Sequence, residues 1–519
     1  MYWADRVAKE IINSGKFKPY WVDDMKTLSG FPTIGSLRGP FVHDFIYKAL
    51  LNAGVVSKFT YIFNDFDPMD EVPPELKGEF SEYLGFPLKN VPSPKEGYPN
   101  YADYFAADFG EVLRELGVSA EFLSSWDLYH EGKFDGVIKE ALDNAEKIQD
   151  IYQKVSGSKK REMGWLPLQV ICENCGKIGT TRVHDWDGKT VGYTCEKEMV
   201  KWAEGCGHTG RVNPFGGKAK LPWKVDWPAH WKVLGITIEG AGKDHSSAGG
   251  SRDIATALCK EVFHIENPYN LPYEFFLIGG RKMSTSKGLG LKAREAKELL
   301  PPSVVRFLFC RTDYKQTVEF DPVGTMAIPD LFDEYDRCFK AYVESSDETL
   351  AKTFEMAQVG GLPHKKPIFL ARFRDIVNYI QMPNIDILKK CAELKGEELN
   401  EIEVKLIEER VKYAKIWIEK YAPEEFNFQM IEAIPADLDL DKEEKDFLRD
   451  IISLIEKDLE AEQLQLELYN LSKAKNLPAK KAFGAIYKVF LGKSFGPKAG
   501  AFLTSYSKEK VIERLSQFK

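Results

Sequence analysis

A run of glycine, basic and hydroxyl residues, GGRKMSTSKG at positions 279–288, has the side chains that a phosphate-binding loop needs. Lys282 and Lys287 can neutralise charge on phosphate oxygens, and the hydroxyl groups between them can donate hydrogen bonds. Glycines at both ends allow the run to hinge over a ligand and release it. The run lacks the fixed spacing of a Walker loop, so it predicts a mobile phosphate-binding loop, with an ordinary polar surface loop as the alternative.

Four of the eight cysteines lie in one short segment and predict a metal site. The two-residue spacing of Cys172 and Cys175 allows adjacent thiolates to bind one tetrahedral ion. Cys195, Cys206 and His208 follow, and three or four of these five residues could complete the site. A closed, sulfur-rich set of ligands leaves no open position, so a structural Zn2+ is predicted; four reduced, partly buried thiols are the alternative.

A turn with two glycines, SGFPTIGS at 29–36, leads into a helix-like segment. Gly30 and Gly35 allow the backbone to approach a ligand closely. The N-terminus of the helix would direct N–H groups and the positive end of its dipole to the same place. The turn therefore predicts an anion-binding site, with a turn that binds nothing as the alternative.

Polar residues also follow two strand-like segments. Asp65 and Asp67 come at the end of KFTYIFND and just after it, where open α/β sheets bind ligands, and their carboxylates could converge on one cation. A solvated acidic loop is the alternative. In EGAGKDH, a Lys-Asp-His triplet ends at His245, and its place at a strand end favours a binding site over a core histidine.

A parallel α/β sheet would bring these loops together. The segment KFTYIFND follows a helix predicted at 41–53, with Gly54 as its C-cap, and the glycine-containing turn precedes that helix. Strand, turn, helix and strand form the βαβ unit of a parallel sheet. After a proline-rich excursion at 68–99 and the cysteine-bearing segment, VLGITIEGAGKDH (233–245) is predicted as a strand that runs into a loop, and YEFFLI (273–278) as a further strand.

The last third of the chain is predicted to be helical. One apolar helix face is indicated by residues that step by three and four: Val404, Ile407, Val411, Ala414 and Ile418. An all-α domain is therefore expected from about residue 355 onward.

The composition limits the class of protein. With 519 residues, 44% of them hydrophobic, the chain can form two or three domains. A net charge of −8 argues against a simple nucleic-acid coat protein but permits a local basic face. The start of the chain does not have the pattern of a secretory signal, no apolar run is long enough for a membrane span, and cysteines are sparse. A cytoplasmic protein without membrane contact is expected.

The motifs together resemble those of a known family. The pentapeptide Lys282–Ser286 resembles the KMSKS signature of class I aminoacyl-tRNA synthetases, and PTIGS lies where their HIGH signature should be. Within that class, the chain resembles class I lysyl-tRNA synthetases. Segments similar to that family follow in its order from about residue 2 to 503: YWADRVAKEI, DFDPMDEVP, EYLGFPLKNVP, VDWPAHW, EGAGKDH, VRFLF, KYAPEEF and GPKAGAF.

This resemblance implies a Rossmann-type parallel-sheet domain that is split by a zinc-ribbon-like insertion and followed by an all-α anticodon-binding domain. The expected divisions are the two halves of the catalytic domain at 1–165 and 226–300, the zinc-binding insertion at 166–225, a connecting region at 301–354 and the helical domain at 355–519. The sequence leaves the oligomeric state open, with a monomer as one possibility.

The implied reaction activates L-lysine with ATP and Mg2+ and transfers it to the terminal adenosine of tRNA(Lys). It needs no covalent enzyme intermediate, because positioning and charge neutralisation supply the rate. The residues that the resemblance places at catalysis are Lys282, Thr33, Ser36 and Lys287. Those that it places around ATP are Ser29, Gly30, Thr33, Gly35, Ser36, Gly242, Lys282, Met283, Ser284, Thr285 and Ser286.

Lysine recognition requires at least one carboxylate or several oxygens around the side-chain ammonium, because an unpaired buried charge is costly. Asp65 and Asp67 are the acidic candidates. Thr27, Trp231, His245 and Tyr273 match family positions around the amino acid, and the two aromatic side chains suit the apolar stem.

The chain departs from the family pattern at a few positions. Thr33 replaces the first His of the HIGH signature, so its help with phosphate would be a neutral hydrogen bond, weaker by ~1 kcal/mol. Thr285 replaces the second Lys of KMSKS, and Lys287 could substitute for it. His230 replaces an Arg in DWPAHW. These changes leave two rival hypotheses open: a paralogue with another amino acid or acceptor, and a catalytically silent tRNA-binding protein.

Overall fold

The computed structural model describes residues 1–159, 164–282, 290–363, 365–426, 428 and 430–518, and it separates into two units. The first unit is Met1–Phe320 with Cys338–Lys365, and the second is Asp321–Arg337 with Lys366–Lys519. The described strands, all before residue 320, are β1 (Trp21–Lys26), β2 (Lys58–Phe63), β3 (Glu121–Ser124), β4 (Gln169–Val170), β5 (Thr181–His184), β6 (Val191–Cys195), β7 (Thr209–Val212), β8 (Ala219–Lys220), β9 (Ala241–Gly242), β10 (Pro272–Tyr273), β11 (Phe276–Ile278), β12 (Arg281–Lys282) and β13 (Val318–Glu319).

The helices are distributed over both units. They are α1 (Trp3–Ser14), α2 (Arg38–Asn52), α3 (Lys77–Phe80), α4 (Tyr101–Glu115), α5 (Ser125–His130), α6 (Asp135–Asp143), α7 (Ala145–Ser156), α8 (Trp223–Leu234), α9 (Ser251–Leu258), α10 (Ala296–Leu299), α11 (Pro302–Cys310), α12 (Ala327–Glu344), α13 (Glu348–Ala357), α14 (Phe373–Tyr379), α15 (Ile387–Lys395), α16 (Glu401–Lys420), α17 (Lys442–Glu456), α18 (Ala461–Ala474), α19 (Ala479–Leu491), α20 (Ala499–Thr504) and α21 (Lys508–Ser516).

A parallel sheet forms the centre of the first unit. Strands β1, β2 and β3 lie side by side in that order, with Lys26 opposite Phe63 and Phe63 opposite Ser124. Parallel bridges continue the sheet from Val22 to Ile238 and from Ile238 to Tyr269, and β9 pairs with β10 in parallel. Because the strands run the same way, the loops after β1, β2, β9 and β10 meet at one edge.

The predicted βαβ unit is present. Helix α2 covers most of the predicted 41–53 segment, and Gly54, at φ +79°, donates its N–H to the carbonyl of Leu51 just past the helix end. The strand predicted from Val233 starts too early: Val233 and Leu234 are the last turn of α8, Gly235 ends that helix in the left-handed conformation, and the sheet is joined only at Ile238. The strand prediction for YEFFLI is interrupted, because β10 and β11 are separate short strands.

The cysteine-bearing segment folds as a small antiparallel insertion. Strands β5, β6 and β7 form one sheet, and β4 pairs with β8 so that the insertion begins and ends side by side. The proline-rich excursion before it contains single helical turns at Pro74–Leu76, Ser81–Tyr83 and Leu88–Asn90. Both segments leave the parallel sheet and return to it.

The second unit is built of helices in its described part, with the first turns of α12 and then α14 to α21. Its core is apolar and includes Phe447, Ile451, Leu468, Ile486 and Phe490. The predicted fold class is confirmed in its three parts: the parallel α/β sheet, the insertion with clustered cysteines and the helical C-terminal region. Within the described ranges, no helix is both long and apolar enough to cross a membrane.

Candidate active site

A cavity of about 880 Å³ lies at the edge of the parallel sheet where β1, β2, β9 and β10 end. Residues from all of these loops line it, together with the turn that leads into α2. Ten of the residues singled out from the sequence are among the lining residues: Thr27, Ser29, Thr33, Gly35, Ser36, Asp67, Gly242, His245, Tyr273 and Lys282. Chain topology therefore brings together segments that are more than 200 residues apart in sequence.

The glycine-containing turn is held by backbone hydrogen bonds. A single 3-10 turn at Ile34–Leu37 leads directly into α2. The N–H of Ile34 donates to the carbonyl of Leu291 at 2.8 Å, and Thr33 forms a bridge with Lys292. The start of α2 thus presents Gly35 and Ser36 to the cavity.

Gly30 has a packing reason for being glycine. A Cβ atom at this position would lie 2.6 Å from Cγ of Pro73, in the proline-rich excursion. Gly30 is not among the described lining residues of the cavity. The predicted contact of Gly30 with ATP therefore has no support from the lining of the cavity and stays a prediction.

Lys282 lies in the short strand β12, opposite Leu277 of β11. Its Nζ is 2.7 Å from a carboxylate oxygen of Asp244 and 4.4 Å from the ring centre of Phe275. Burial raises the pKa of Asp244, but the hydrogen bond from Lys282 and its positive charge outweigh this effect, so the pKa lies below its ordinary value. The predicted residues Met283, Ser284, Thr285, Ser286 and Lys287 lie outside the described residues.

Two buried carboxylates face the cavity, and the sequence reasoning missed both of them. Asp24, in β1, is 7% exposed, and Glu239, just before β9, is 1% exposed. Burial raises the pKa of Glu239 to about 7. Burial, and then the neighbouring charge of Glu239, raise the pKa of Asp24 well above its ordinary value. Two acidic residues in the middle of the strand WVDDMK were the available signal, because charge inside a buried strand is unusual.

Two tryptophans of α8 hold Glu239 in place. The indole N–H of Trp227 donates to Glu239 at 2.7 Å, and the indole N–H of Trp231 donates to the other carboxylate oxygen. Trp227 lines the cavity and stacks on Trp223 at a ring distance of 5.3 Å. Trp231 is absent from the described lining residues, so its predicted contact with an amino acid would be indirect, through Glu239.

Asp65 and Asp67 have different surroundings. Asp65 is buried and accepts hydrogen bonds from Ser124, Ser125 and the backbone N–H of Trp126, and it is not among the described residues that line the cavity. Its carboxylate therefore joins the end of β2 to the start of α5. Asp67 does line the cavity, where it accepts a hydrogen bond from the hydroxyl of Thr27.

The predicted metal ligands come together in the insertion. The Sγ atoms of Cys172, Cys175, Cys195 and Cys206 all lie within 4.8 Å of one another, and two pairs are 3.7 Å apart. A tetrahedral ion with sulfur ligands at 2.3 Å would separate neighbouring sulfurs by ~3.8 Å, so the arrangement fits such an ion. Among the described residues, the group consists of these four cysteines and does not include His208.

Two similar backbone turns present the cysteines. In the first, the N–H of Gly176 donates to the carbonyl of Cys172, and the N–H of Cys172 donates to the carbonyl of Lys177. In the second, the N–H of Gly207 donates to the carbonyl of Cys195, and the N–H of Cys195 donates to the carbonyl of His208. The ten residues between Cys195 and Cys206 thus form an excursion from a second knuckle, which explains the irregular spacing.

Comparison with known proteins places the chain in a family. Residues 1–360 match the family described as tRNA synthetases class I (K), and the chain belongs to this family. Three relatives named lysine–tRNA ligase are similar along nearly the whole length of both chains. The one from Archaeoglobus fulgidus is 35% identical, over 99% of each chain. The one from Thermoplasma volcanium is 31% identical, over 99% of this chain and 98% of its own, and the one from Methanocaldococcus jannaschii is 32% identical, over 100% of both.

Proposed function

We propose that the protein is a lysine–tRNA ligase, which activates L-lysine with ATP to lysyl-adenylate and transfers the lysyl group to the 3′ adenosine of tRNA(Lys). The observation that carries this proposal is the combination, in one cavity, of two buried carboxylates with Lys282 and the turn into α2. The names of the full-length relatives support the same amino acid and the same acceptor.

Asp24 and Glu239 suit the side-chain ammonium of lysine. A buried ammonium without a partner is costly, and a carboxylate supported by two indole N–H groups is a prepared partner for it. Trp223, Trp227 and Tyr273 line the same cavity and give the four-carbon stem an apolar surface. This assignment moves the acidic partner of the side-chain ammonium from Asp65 and Asp67, the candidates proposed from the sequence, to Asp24 and Glu239.

The other end of the amino acid must lie near the turn into α2, where its carboxylate can attack ATP. Thr27 and Asp67 follow β1 and β2 at that edge, and His245 lines the same cavity after β9. These residues are proposed to surround the α-amino and carboxylate groups. Trp231 contributes by holding Glu239.

ATP is proposed to bind along the turn into α2 and the segment after β9. Ser29, Thr33, Gly35, Ser36 and Gly242 line this part of the cavity. Lys282 would neutralise the charge that develops on the leaving pyrophosphate, and Mg2+ bound to the phosphates would share that task. Thr33 would contribute a neutral hydrogen bond, and Met283 to Ser286 with Lys287 are proposed to complete the phosphate-binding loop.

Asp244 is the ion-pair partner of the Lys282 ammonium. A triphosphate that binds Lys282 would have to replace this carboxylate, and its higher negative charge favours the exchange.

Zn2+ is the proposed metal of the insertion, held by the four cysteines as thiolates. All four ligands come from the protein, so the ion would stabilise the insertion and take no part in the reaction. The helical region from residue 355 onward is proposed to contact the anticodon of the tRNA.

Exchange of pyrophosphate into ATP tests the amino acid specificity. Purified protein should catalyse the exchange with L-lysine and not with the other standard amino acids. The assay needs parallel reactions with and without tRNA, because some related class I enzymes activate their amino acid only when tRNA is bound. Exchange with a different amino acid would support the rival paralogue, and no exchange under any condition would contradict the enzyme hypothesis.

A further inference from the structure

Lys220 is a buried lysine at the edge of the cavity. It lies in β8, at the end of the insertion, and is 1% exposed. Its Nζ is 3.0 Å from one carboxylate oxygen of Asp67 and 2.6 Å from Asp226, which lies in the first turn of α8. Its partner in the β4–β8 pairing, Gln169, lines the cavity.

The charge of Lys220 is retained because of these carboxylates. Burial lowers the pKa of the ammonium, but the charges of Asp226 and then Asp67 outweigh burial and place the pKa above its ordinary value. Removing one partner of a buried ion pair leaves an uncompensated buried charge. This destabilises a protein much more than the loss of one partner of an ion pair at the surface. Lys220 is therefore a fixed positive charge inside the first unit.

Both carboxylate oxygens of Asp67 have partners within the protein. Oδ1 pairs with Lys220, and Oδ2 accepts the hydrogen of the Thr27 hydroxyl. Because Thr27 donates to Asp67, the lone pairs of its oxygen are the part that remains for an acceptor role in the cavity. Asp226 is fixed in turn by Lys220 and by the hydroxyl of Tyr129.

We propose that Lys220 is a positioning residue for the amino acid substrate: it holds Asp67, and through Asp67 it turns Thr27 into a hydrogen-bond acceptor for the α-ammonium group. This inference rests on the proposed function. It separates two acidic sites in the cavity. Asp67 is neutralised by an internal lysine and serves the backbone end of the substrate, whereas Asp24 and Glu239 serve its side-chain ammonium.

The separation is tested with norleucine, which has the length of lysine without the side-chain ammonium. The readouts are the KM for lysine, the inhibition constant of norleucine and the KM for ATP in the exchange reaction. Asp67→Asn should raise the KM for lysine and the inhibition constant of norleucine by the same factor, about tenfold, and should leave the KM for ATP unchanged. Glu239→Gln should raise the KM for lysine by about a hundredfold and the inhibition constant of norleucine much less. Loss of lysine-over-norleucine discrimination in Asp67→Asn would overturn the proposal.

The role of Lys220 itself is tested with a pair of variants. Lys220→Met should lower the unfolding temperature, because Asp226 is left buried without its cation. The double variant Lys220→Met with Asp226→Leu removes that charge and should recover the unfolding temperature. Its KM for lysine and its inhibition constant for norleucine should stay raised, as in Asp67→Asn. A double variant with recovered stability and normal substrate constants would show that Lys220 only compensates Asp226, and the proposal would be wrong.

If the double variant stays unstable, its substrate constants measured well below its unfolding temperature decide the role of Lys220, and Asp67→Asn tests the step through Asp67, which is partly exposed to the cavity. Lys218→Met is the matched control, since Lys218 is exposed and lies two residues earlier in the same segment. A wild-type protein that does not activate lysine would contradict the proposed function. A wild-type protein that does so, with variants that fail the pattern above, would contradict this inference alone.

Discussion

At the scale of single residues, the cavity is organised by charges that already have partners. Lys282 is paired with Asp244, Asp67 with Lys220, and Glu239 with two indole N–H groups. The pairs at Asp67 and Glu239 fix these side chains in place for a substrate, whereas Lys282 has to exchange Asp244 for a phosphate. The same pairs decide which groups can accept a substrate charge.

Lys282→Ala should slow lysine activation by about a hundredfold, because one positive charge at the leaving pyrophosphate is lost. The KM for lysine should change little, since Lys282 is proposed to act on the phosphates of ATP. Pyrophosphate exchange at saturating lysine measures the effect. Lys243→Ala is the control, because this neighbouring lysine pairs with Glu274 and is not among the described lining residues. Equal losses in both variants would argue against a specific role.

Lysine binding should depend on pH through Glu239. Burial raises the pKa of this carboxylate to about 7, and the charged groups around it are Asp23, Asp24 and Arg252. Below pH 7 the protonated acid cannot pair with an ammonium, so the KM for lysine should rise as the pH falls from 8 to 6. Steady-state exchange rates across this range measure the dependence.

Glu239→Gln should have a raised KM for lysine and a weaker rise of that KM at low pH, because Asp24 is still buried and keeps a raised pKa. Glu71→Gln, at another lining residue, should retain the wild-type profile. A rise of the KM at low pH that is as steep in Glu239→Gln as in the wild type would assign the titration to a different group.

The sequence predicted the loops of the site better than the carboxylates within it. Glycines and hydroxyl residues after strands are local signals, and the turn into α2 and the segment around His245 were found from them. Asp24 and Glu239 were missed because their burial depends on neighbours distant in sequence, such as Trp227 and Tyr273. Asp65 was assigned to lysine because its contacts with Ser124 and Ser125, about 60 residues away, leave no local signal.

At the scale of elements, the insertion supports the wall of the cavity. The N–H groups of Ile178 and Gly179 donate to the carbonyl of Gly85, in the proline-rich excursion that directly follows Asp67. Trp202, which lies between Cys195 and Cys206, packs against Gly179 beside Pro68. Pro68 lines the cavity, so the cysteine-bearing insertion and the edge of the sheet that carries the cavity are in contact.

Cys206→Ser should lose the bound metal and lower the unfolding temperature, because a closed thiolate site contributes directly to the stability of a small fold. Metal analysis of the purified protein should find one Zn2+ per chain in the wild type and much less in the variant. Cys391→Ser is the control, since this buried cysteine lies in α15, far along the chain from the cluster. Wild-type protein purified without any bound metal would contradict the zinc assignment.

Gly179→Ala should destabilise the protein by about 1–3 kcal/mol, because the added Cβ would lie 2.5 Å from the indole of Trp202. It should also raise the KM for lysine while the metal content stays the same. Gly136→Ala adds the same methyl group in α6, where nothing lies within 4 Å, and should be neutral or slightly stabilising. Denaturant unfolding and metal analysis measure both effects; equal stability of the two variants would contradict the packing role of Trp202.

The elements were predicted where the local pattern was strong. The helix before β2, the strand KFTYIFND and the helical C-terminal region follow from periodicity and caps. The β-branched run at Val233 was predicted as a strand, but the apolar side chains of DWPAHW pack as a helix whose end is set by Gly235. The antiparallel strands of the insertion were not predicted individually, because short pairs depend on the cysteine cluster that they surround.

At the scale of the whole molecule, the chain has two units with different contents. The first unit contains the entire cavity, from β1 to Lys282, and the insertion with the cysteine cluster. The second is helical in its described part and has its own apolar core. The domain divisions expected from the sequence remain predictions, and the assignment of the helical region to the anticodon rests on the resemblance.

The most direct measurement is the charging of tRNA by the purified protein with lysine, Mg2+ and ATP. The proposed function predicts lysyl-tRNA from tRNA(Lys), with much less product from a tRNA that differs only in its anticodon. The proposed function also predicts less product from Lys282→Ala, which loses a charge at the phosphates of ATP. Glu239→Gln should form less product because it loses a partner of the lysine side chain. Formation of no lysyl-tRNA, or attachment of another amino acid in place of lysine, would contradict the proposed function.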